Sequence, residues 1–260
     1  MANDRYFLAG VGRALQFLEV IADHETGLTL KQATDLAEVD PTGAFRIAHT
    51  LEHEGYLIRD EHGLYKLGPT VLRLGVTYLN SLNLRKTALP RLGALIEWPA
   101  DSASLATLSG RRAVVIERLE RQPSEAGTRH VGWSFSLHST SLGKTLLAYL
   151  PDATIREWLE SMPLQRFSGT TIVDPQVLMA ELEQIRTQGY AFNFEESGDG
   201  ALAVAAPVRN HLGEIIGALN VSGQMPTMTK EYLQDETLKS VVSAADALSR
   251  DLGYRSDQVA

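Results

Sequence analysis

Asp40-Pro41-Thr42-Gly43-Ala44-Phe45-Arg46-Ile47-Ala48-His49-Thr50-Leu51-Glu52-His53-Glu54-Gly55-Tyr56-Leu57 is the stretch on which the reading of this 260-residue chain turns. Ala44, Ile47, Ala48 and Leu51 recur at i, i+3, i+4 and i+7, so one face of a helix is apolar. Thr42, Phe45, Arg46, His49 and His53 fall on the opposite face. Asp40 can cap the helix, Pro41 suits its first position, and Gly55 stops it.

The flanking sequence extends this helix into a small domain. Upstream, Val11 to Ala22 predicts a helix with Val11, Ala14, Leu15, Leu18, Ile21 and Ala22 on its buried face. Thr29 with Gln32 three residues on forms a capping box for a second helix, with Leu30, Ala33 and Ala37 inward. Downstream, Tyr56 to Arg59 and Leu64 to Leu67 alternate like a hairpin around residues 60–63. Two short helices followed by a two-stranded wing make a winged helix-turn-helix over residues 1–67. Its second helix has the size and polar face that a DNA major groove accepts. The expected contacts are Thr42, Phe45, Arg46 and His49 on the helix, with Arg59 and Lys66 reaching phosphates or the minor groove from the wing. Arg46, the cation of that face, is suited to a guanine edge or a phosphate.

Gly68-Pro69 breaks the chain, and Val71 to Leu82 predicts an amphipathic linker helix within residues 68–83. Its apolar positions, Val71, Leu72, Leu74, Val76, Tyr78 and Leu79, exceed one buried stripe, which suggests packing on a second copy. Residues 84–260 then alternate helices with antiparallel strands. Helices are expected from Leu84 to about Trp98, over Thr140 to Tyr149 and Asp152 to Ser161, from Asp174-Pro175 to Gly189, and over Lys230 to Leu252. Strands are expected over Ser102 to Leu108, Ala113 to Leu119, Tyr190 to Glu195, Ala201 to Val208 and Glu214 to Ser222. The fold class is α+β: an antiparallel sheet covered by helices.

Composition narrows the function. Net charge is −8, and residues 1–67 hold six basic side chains against eleven acidic ones, a net −5. Phosphate neutralisation usually carries much of DNA affinity, so an acidic head needs dimerisation and predicts strong salt sensitivity. The charge motivates an alternative, a metabolite sensor that has lost DNA binding. Zero cysteines exclude disulfides and thiolate metal sites. With no run of 18 apolar residues and no signal-peptide pattern at the N-terminus, a cytoplasmic protein without a membrane partner is expected.

Several motifs invite other readings. His49-Thr50-Leu51-Glu52-His53 spells H-x-x-E-H, which would make a metal-dependent hydrolase, but a third ligand is missing and the helix fits the DNA-reading slot. Gly143-Lys144-Thr145 ends like a P-loop, yet His138 stands where the first glycine belongs. Glu195 and Glu196 are adjacent on a strand and point to opposite faces, which disfavours an acid–base pair. Asn220-Val221-Ser222 matches a glycosylation sequon without a secretion signal beside it. No catalytic residue, metal ligand or cofactor is expected. Thr140, Ser141, Leu142 and Gly143 open a helix with small side chains, so their amides form an anion site. His138 beside it is read either as a ligand contact or as fixing the loop.

Four blocks in order resemble the IclR (isocitrate lyase regulator) family of bacterial transcription factors, over nearly the whole chain. They are R-I-A-H-T-L-E-H-E-G-Y-L with Y-K-L-G-P-T-V-L-R-L-G; S-L-H-S-T-S-L-G-K-T-L-L-A-Y-L, similar to H-x-x-x-x-G-K-x-L-L-A; G-Y-A-F-N-F-E-E-S-G-D-G; and A-A-P-V-R-N-H-L-G-E-I-I-G-A-L-N-V-S-G. The resemblance implies a GAF-like effector domain, homodimers or homotetramers, and control of catabolic genes. It also implies effector contacts at Ser141, Leu142, Asn193, Ala201, Ala203, Asn220 and Ser222. The chain departs from the family pattern at Thr42-Gly43, where Ser-Thr is usual, and at Glu38, where glycine is usual. The expected protein is therefore a regulator that binds a near-palindromic double-stranded operator and senses a small organic acid.

Overall fold

The computed structural model describes residues 6–122, 131–161 and 163–255. The chain divides into two compact units at Ser81/Leu82.

In the first unit, α1 (Ala9–Ala22), α2 (Leu30–Ala37) and α3 (Pro41–His53) are followed by a hairpin of β1 (Leu57–Arg59) and β2 (Tyr65–Leu67), then α4 (Pro69–Ser81). The capping box is present: Gln32 N–H donates to Thr29 Oγ1, and Thr29 N–H donates to Gln32 Oε1 at 2.9 Å. Asp40 Oδ1 accepts from Gly43 N–H at 2.8 Å, with Pro41 in the first turn. Gly55, at φ +76°, ends α3: Tyr56 N–H donates to Leu51 O and Gly55 N–H to Glu52 O. This is the paired bonding of a left-handed helix stop. Leu28 exchanges backbone hydrogen bonds with Tyr65 and ties the entry to α2 onto the wing.

The core of this unit is Phe17, Ile21, Leu28, Ala33, Ala37, Val39, Ala44, Ala48, Leu57 and Tyr65. The stripe expected on α3 is in place, with Ala44 and Ala48 buried and Ile47 and Leu51 packed against them. The face expected on α1 needs correction. Phe17 and Ile21 carry it, whereas Val11, Leu15 and Ala22 are exposed. The helix is rotated so that the 14, 17, 18, 21 row faces inward, because the largest side chain, Phe17, fills the space between α2 and the wing. No residue of α4 is buried, and Leu72, Leu74, Val76 and Tyr78 are exposed.

The second unit is a six-stranded antiparallel sheet in the order β5-β4-β3-β8-β7-β6. Its strands are β3 (Ser102–Ser109), β4 (Arg112–Glu120), β5 (Ser134–Ser136), β6 (Ala191–Phe194), β7 (Ala201–Arg209) and β8 (Ile215–Gln224). One face is covered by α5 (Asn83–Ala94) and α10 (Leu238–Asp251), the other by α6 (Ser141–Ala148), which packs on β7 and β8. Helices α7 (Asp152–Ser161) and α8 (Pro175–Gln188) complete that second layer around α6. Strand β5 was not anticipated. Helix α5 stops at Ala94 rather than near Trp98, and the last helix is interrupted: α9 (Lys230–Tyr232) leads into a π-helical turn, Leu233–Thr237, before α10. The architecture is a winged helix-turn-helix, a linker helix and a GAF-like α+β domain with a curled antiparallel sheet.

Helix α6 is buried at every residue. Thr140 caps it, its Oγ1 accepting from Gly143 N–H at 3.0 Å while its hydroxyl donates to Ser136 O. A Cβ on Gly143 would lie 2.4 Å from Ser136 O and 2.7 Å from Leu137 Cα, so only glycine lets the helix approach that backbone. Gly143→Ala is therefore expected to destabilise the chain by about 1–3 kcal/mol, measured by urea denaturation. The opposite outcome is expected at Glu38. It ends α2 at φ +53°, a left-handed conformation that costs an L-residue about 1–2 kcal/mol. Glycine removes that strain but gains unfolded-state entropy, so Glu38→Gly should stabilise by about 0.5–1 kcal/mol net, with an unchanged denaturant slope.

Candidate functional site

On α3 the polar face is solvent-facing. Thr42, Phe45, Arg46 and His49 are all exposed, at the i, i+3, i+4, i+7 spacing that aligns them in one row. Phe45 lies against His49, with ring centroids 6.3 Å apart. In the wing, Arg59 is exposed and its guanidinium lies 5.6 Å from the Tyr65 ring centre. Lys66 is engaged: its Nζ is 2.9 Å from Asp60 Oδ2. The Lys66 ammonium and the Leu64 amide hold the Asp60 carboxyl below its ordinary range. A phosphate would compete with Asp60 for Lys66. His53 is paired with Glu54 at 3.1 Å, and among the described residues no group of three or more His, Asp or Glu is arranged to hold a metal ion.

In the second unit a cavity of about 690 Å³ opens between the start of α6 and the sheet. Thr140, Ser141 and Leu142 line it from the helix. Asn193, Ala201, Ala203, Asn220 and Ser222 line it from β6, β7 and β8. The strand register explains why they meet. Ser222 pairs with Ser102 on one side and Ala203 on the other, and Ala203 pairs with Asn193. Directly paired residues share a face, so these four form one row across the sheet. A second row runs Arg118, Ser104, Asn220. That row continues through Ala205 and Ala191, which with Ala106 and Ala218, one step further along the face, belong to the apolar core under α6.

Two of the sequence-predicted residues lie outside the lining. His138 is buried behind the helix start. Its Nε2 donates to Gln165 O at 2.8 Å, and its Nδ1 accepts from Ser136 Oγ at 2.7 Å. Burial pushes its pKa down, and the Gln165 carbonyl only partly opposes this. The ring is a neutral brace for the loop. Gly143 is likewise a packing residue.

Sequence reasoning missed Ser102, Ser104, Arg118, Glu120 and Arg121, which line the same cavity. Arg118 Nε donates to Glu120 Oε1 at 2.8 Å and its Nη1 to Ser104 Oγ at 3.0 Å, so the guanidinium is held by both neighbours. The signal was available: Ser102, Ser104 and Ala106 repeat on β3 the period-two pattern of Ser222, Asn220 and Ala218 on β8. Two buried polar atoms at the cavity find no hydrogen-bond partner among the described residues: Ser141 Oγ and Asn220 Oδ1. Buried polar groups are nearly always satisfied, so both are suited to a bound polar molecule.

One turn into α6 lies Lys144, 1% exposed, with its Nζ 2.7 Å from Glu196 Oε1 and 2.9 Å from Glu181 Oε1. Burial pushes the Glu196 carboxyl up, and the Lys144 ammonium opposes that. Glu196 N–H donates to Asn193 Oδ1 at 2.8 Å, and Asn193 Nδ2 donates to Ser197 Oγ at 2.7 Å. The ion cluster thereby fixes the cavity wall after β6 to α6 and α8.

Comparison with known proteins gives the family. Residues 76–250 match the model of the bacterial transcriptional regulator IclR C-terminal domain, and residues 10–61 that of the IclR helix-turn-helix domain. The HTH-type transcriptional regulator XynR of Escherichia coli K12 is 31% identical, over 95% of this chain and 98% of that protein. The crystal structure of the Thermotoga maritima IclR is 27% identical with a TM-score of 0.66, covering 94% of this chain and 98% of that one. The inducer-binding domain of PobR from Acinetobacter, a double mutant solved with 3-hydroxybenzoic acid, is 30% identical with a TM-score of 0.59, over 63% of this chain and 96% of that one. The helix-turn-helix, the GAF-like unit and these matches agree: the chain belongs to the IclR family of bacterial transcriptional regulators.

Proposed function

We propose that this chain is a cytoplasmic, ligand-responsive regulator of catabolic genes, binding a near-palindromic operator as a homodimer or homotetramer. A small organic acid, held in the cavity between α6 and the sheet, shifts the balance between two arrangements of the oligomer. The observation that carries this reading is the cavity. Arg118, the first residues of α6 and two unpartnered polar atoms line one cavity in a chain that also carries a helix-turn-helix with an exposed polar face. A carboxylate satisfies an arginine and helix-terminal amides together. The PobR domain bound to 3-hydroxybenzoic acid supports an acid as ligand class. The exposed apolar residues of α4 and the small cationic complement of the head support binding as an oligomer, since two weak heads on one operator add their contacts.

The acidic charge of the head and the Asp60–Lys66 pair favour a second reading, a sensor with weak or lost DNA binding. A gel shift with DNA from upstream of the chain's own gene separates the two. A discrete shift that weakens steeply with salt supports the regulator; no shift at any protein concentration supports the sensor.

Arg46→Ala is expected to weaken specific operator binding by about 1–3 kcal/mol with the fold intact by circular dichroism. Unchanged operator affinity would remove Arg46 from the contact set. Ser222→Leu, which places a bulky apolar side chain on the cavity floor, should abolish the response of operator binding to an effector while leaving DNA binding in its absence unchanged. A mutant that still responds in the gel shift would put the effector site elsewhere.

A further inference from the structure

Strand β4 changes the facing of its side chains at Ile116. Val115 pairs with Ala106 and Glu117 with Leu105, so Ile116 is an extra residue with no partner on β3. Such a bulge inverts the alternation that follows it. Without it Glu117 would continue the α6-facing line of Ala113 and Val115, and Arg118 would lie on the other face. With it Arg118 pairs with Ser104 and lines the cavity. Glu117 pairs with Leu105 on the opposite face, where α5 packs on β3 and β4.

Glu117 is 5% exposed, and its two oxygens turn to different neighbours. Oε1 accepts from the backbone amide of Arg118 at 3.1 Å. Oε2 lies 2.8 Å from Arg85 Nε on α5. One carboxylate thus joins a residue that lines the cavity to the helix on the far side of the sheet. The contact with Arg85 is incomplete. The charges touch, yet the Nε–H is not aimed along the line between them: neither Arg85 Nε nor Glu117 Oε2 has a hydrogen-bond partner among the described residues. A buried carboxylate depends on its cation, and a small realignment of α5 against β4 makes this contact a full charge-assisted hydrogen bond. Helix α5 begins at Asn83, and α4, which follows the wing, ends at Ser81. A realignment of α5 therefore acts on the segment that leads to the helix-turn-helix.

We propose that Glu117 and Arg85 are a positioning pair that passes occupation of the cavity to the first unit: a molecule drawing on Arg118 shifts Glu117, and Glu117 shifts α5. This rests on the reading of the cavity as the effector site. Neither residue lines the cavity, so neither is a ligand contact, and breaking the pair separates sensing from response.

The test uses the full chain, the upstream DNA of the gel shift and four probe acids: 3-hydroxybenzoate, 4-hydroxybenzoate, gluconate and hexanoate. Calorimetry gives probe affinity, and the gel shift with and without probe gives the response. In the wild type, saturation with at least one probe should change operator affinity by about tenfold. Arg85→Gln should bind that probe within about twofold of wild type, as expected of a site apart from the ligand, while its operator affinity no longer changes with probe. Glu117→Gln keeps an acceptor for the Arg118 amide and loses the charge, and it should behave in the same way. The double variant should respond as each single one does, because the two residues act as a unit. A merely structural role would lower stability and operator affinity with and without probe alike, leaving their ratio as in wild type. A response of Arg85→Gln and Glu117→Gln equal to that of wild type overturns the pair and leaves the acid-sensing role standing. So does loss of probe binding by both variants, which would make the pair part of the site itself. A wild-type chain that binds no probe, or whose operator binding no probe alters, overturns the effector reading and the pair with it.

Discussion

The ammonium of Lys144 stands in the middle of a helix with no exposed residue, and the elements around the cavity are arranged about it. A charge so placed is costly unless it is paired, and here Glu196 and Glu181 meet it from the loop after β6 and from α8. Three segments distant in sequence are thereby brought to one point. Glu196 in turn fixes Asn193 through its backbone amide, and Asn193 fixes Ser197. The wall of the cavity is thus held by an ion cluster that does not itself line the cavity.

The sheet divides its α6 face between two tasks. At one end Ala106, Ala191, Ala205 and Ala218 lie under the helix and allow close packing. Along β3 and β8 the alanines give way to Ser104, Ser102, Asn220 and Ser222, which line the cavity with the first residues of α6. The small side chains at Gly143 and the alanines bring α6 near enough to close the core, while the polar end stays open. The packed and the polar parts of the sheet therefore share one face and meet within a single row, where Asn220 pairs with Ala205.

Much of this was legible in the sequence, and the reasons are local. The caps at Thr29, Asp40, Thr140 and Asp174, and the stops at Gly55 and Gly189, act through neighbouring backbone, so the helices they bound could be placed. The period-two pattern of Asn220 and Ser222 likewise announces a half-polar face. The helical phase of α1 was less legible, because only tertiary packing reveals that Phe17 fills the space beside the wing. The short strand β5 carries too few residues to show a period. Arg118 and Ser104 were not legible as a pair: their meeting depends on the β3–β4 register, which includes a shift between Leu105 and Ala106. A charged pair two residues apart on a strand gives no hint of which face is enclosed. His138 could be read either way until its two ring nitrogens were seen to be engaged by Gln165 and Ser136.

The pairing of Ser102 with Ser222 joins residues 120 positions apart in the chain. Contacts of that span carry the entropic cost of closing a long intervening loop. The cavity floor exists only once β3 and β8 have met, so a molecule held there has nothing to grip in a partly folded chain. Its binding energy falls on the native state and on little before it, which slows unfolding without hastening folding. At a hundredfold excess over its dissociation constant such a molecule adds about 2.7 kcal/mol to native stability. A molecule bound at that floor would then lengthen the lifetime of the folded chain.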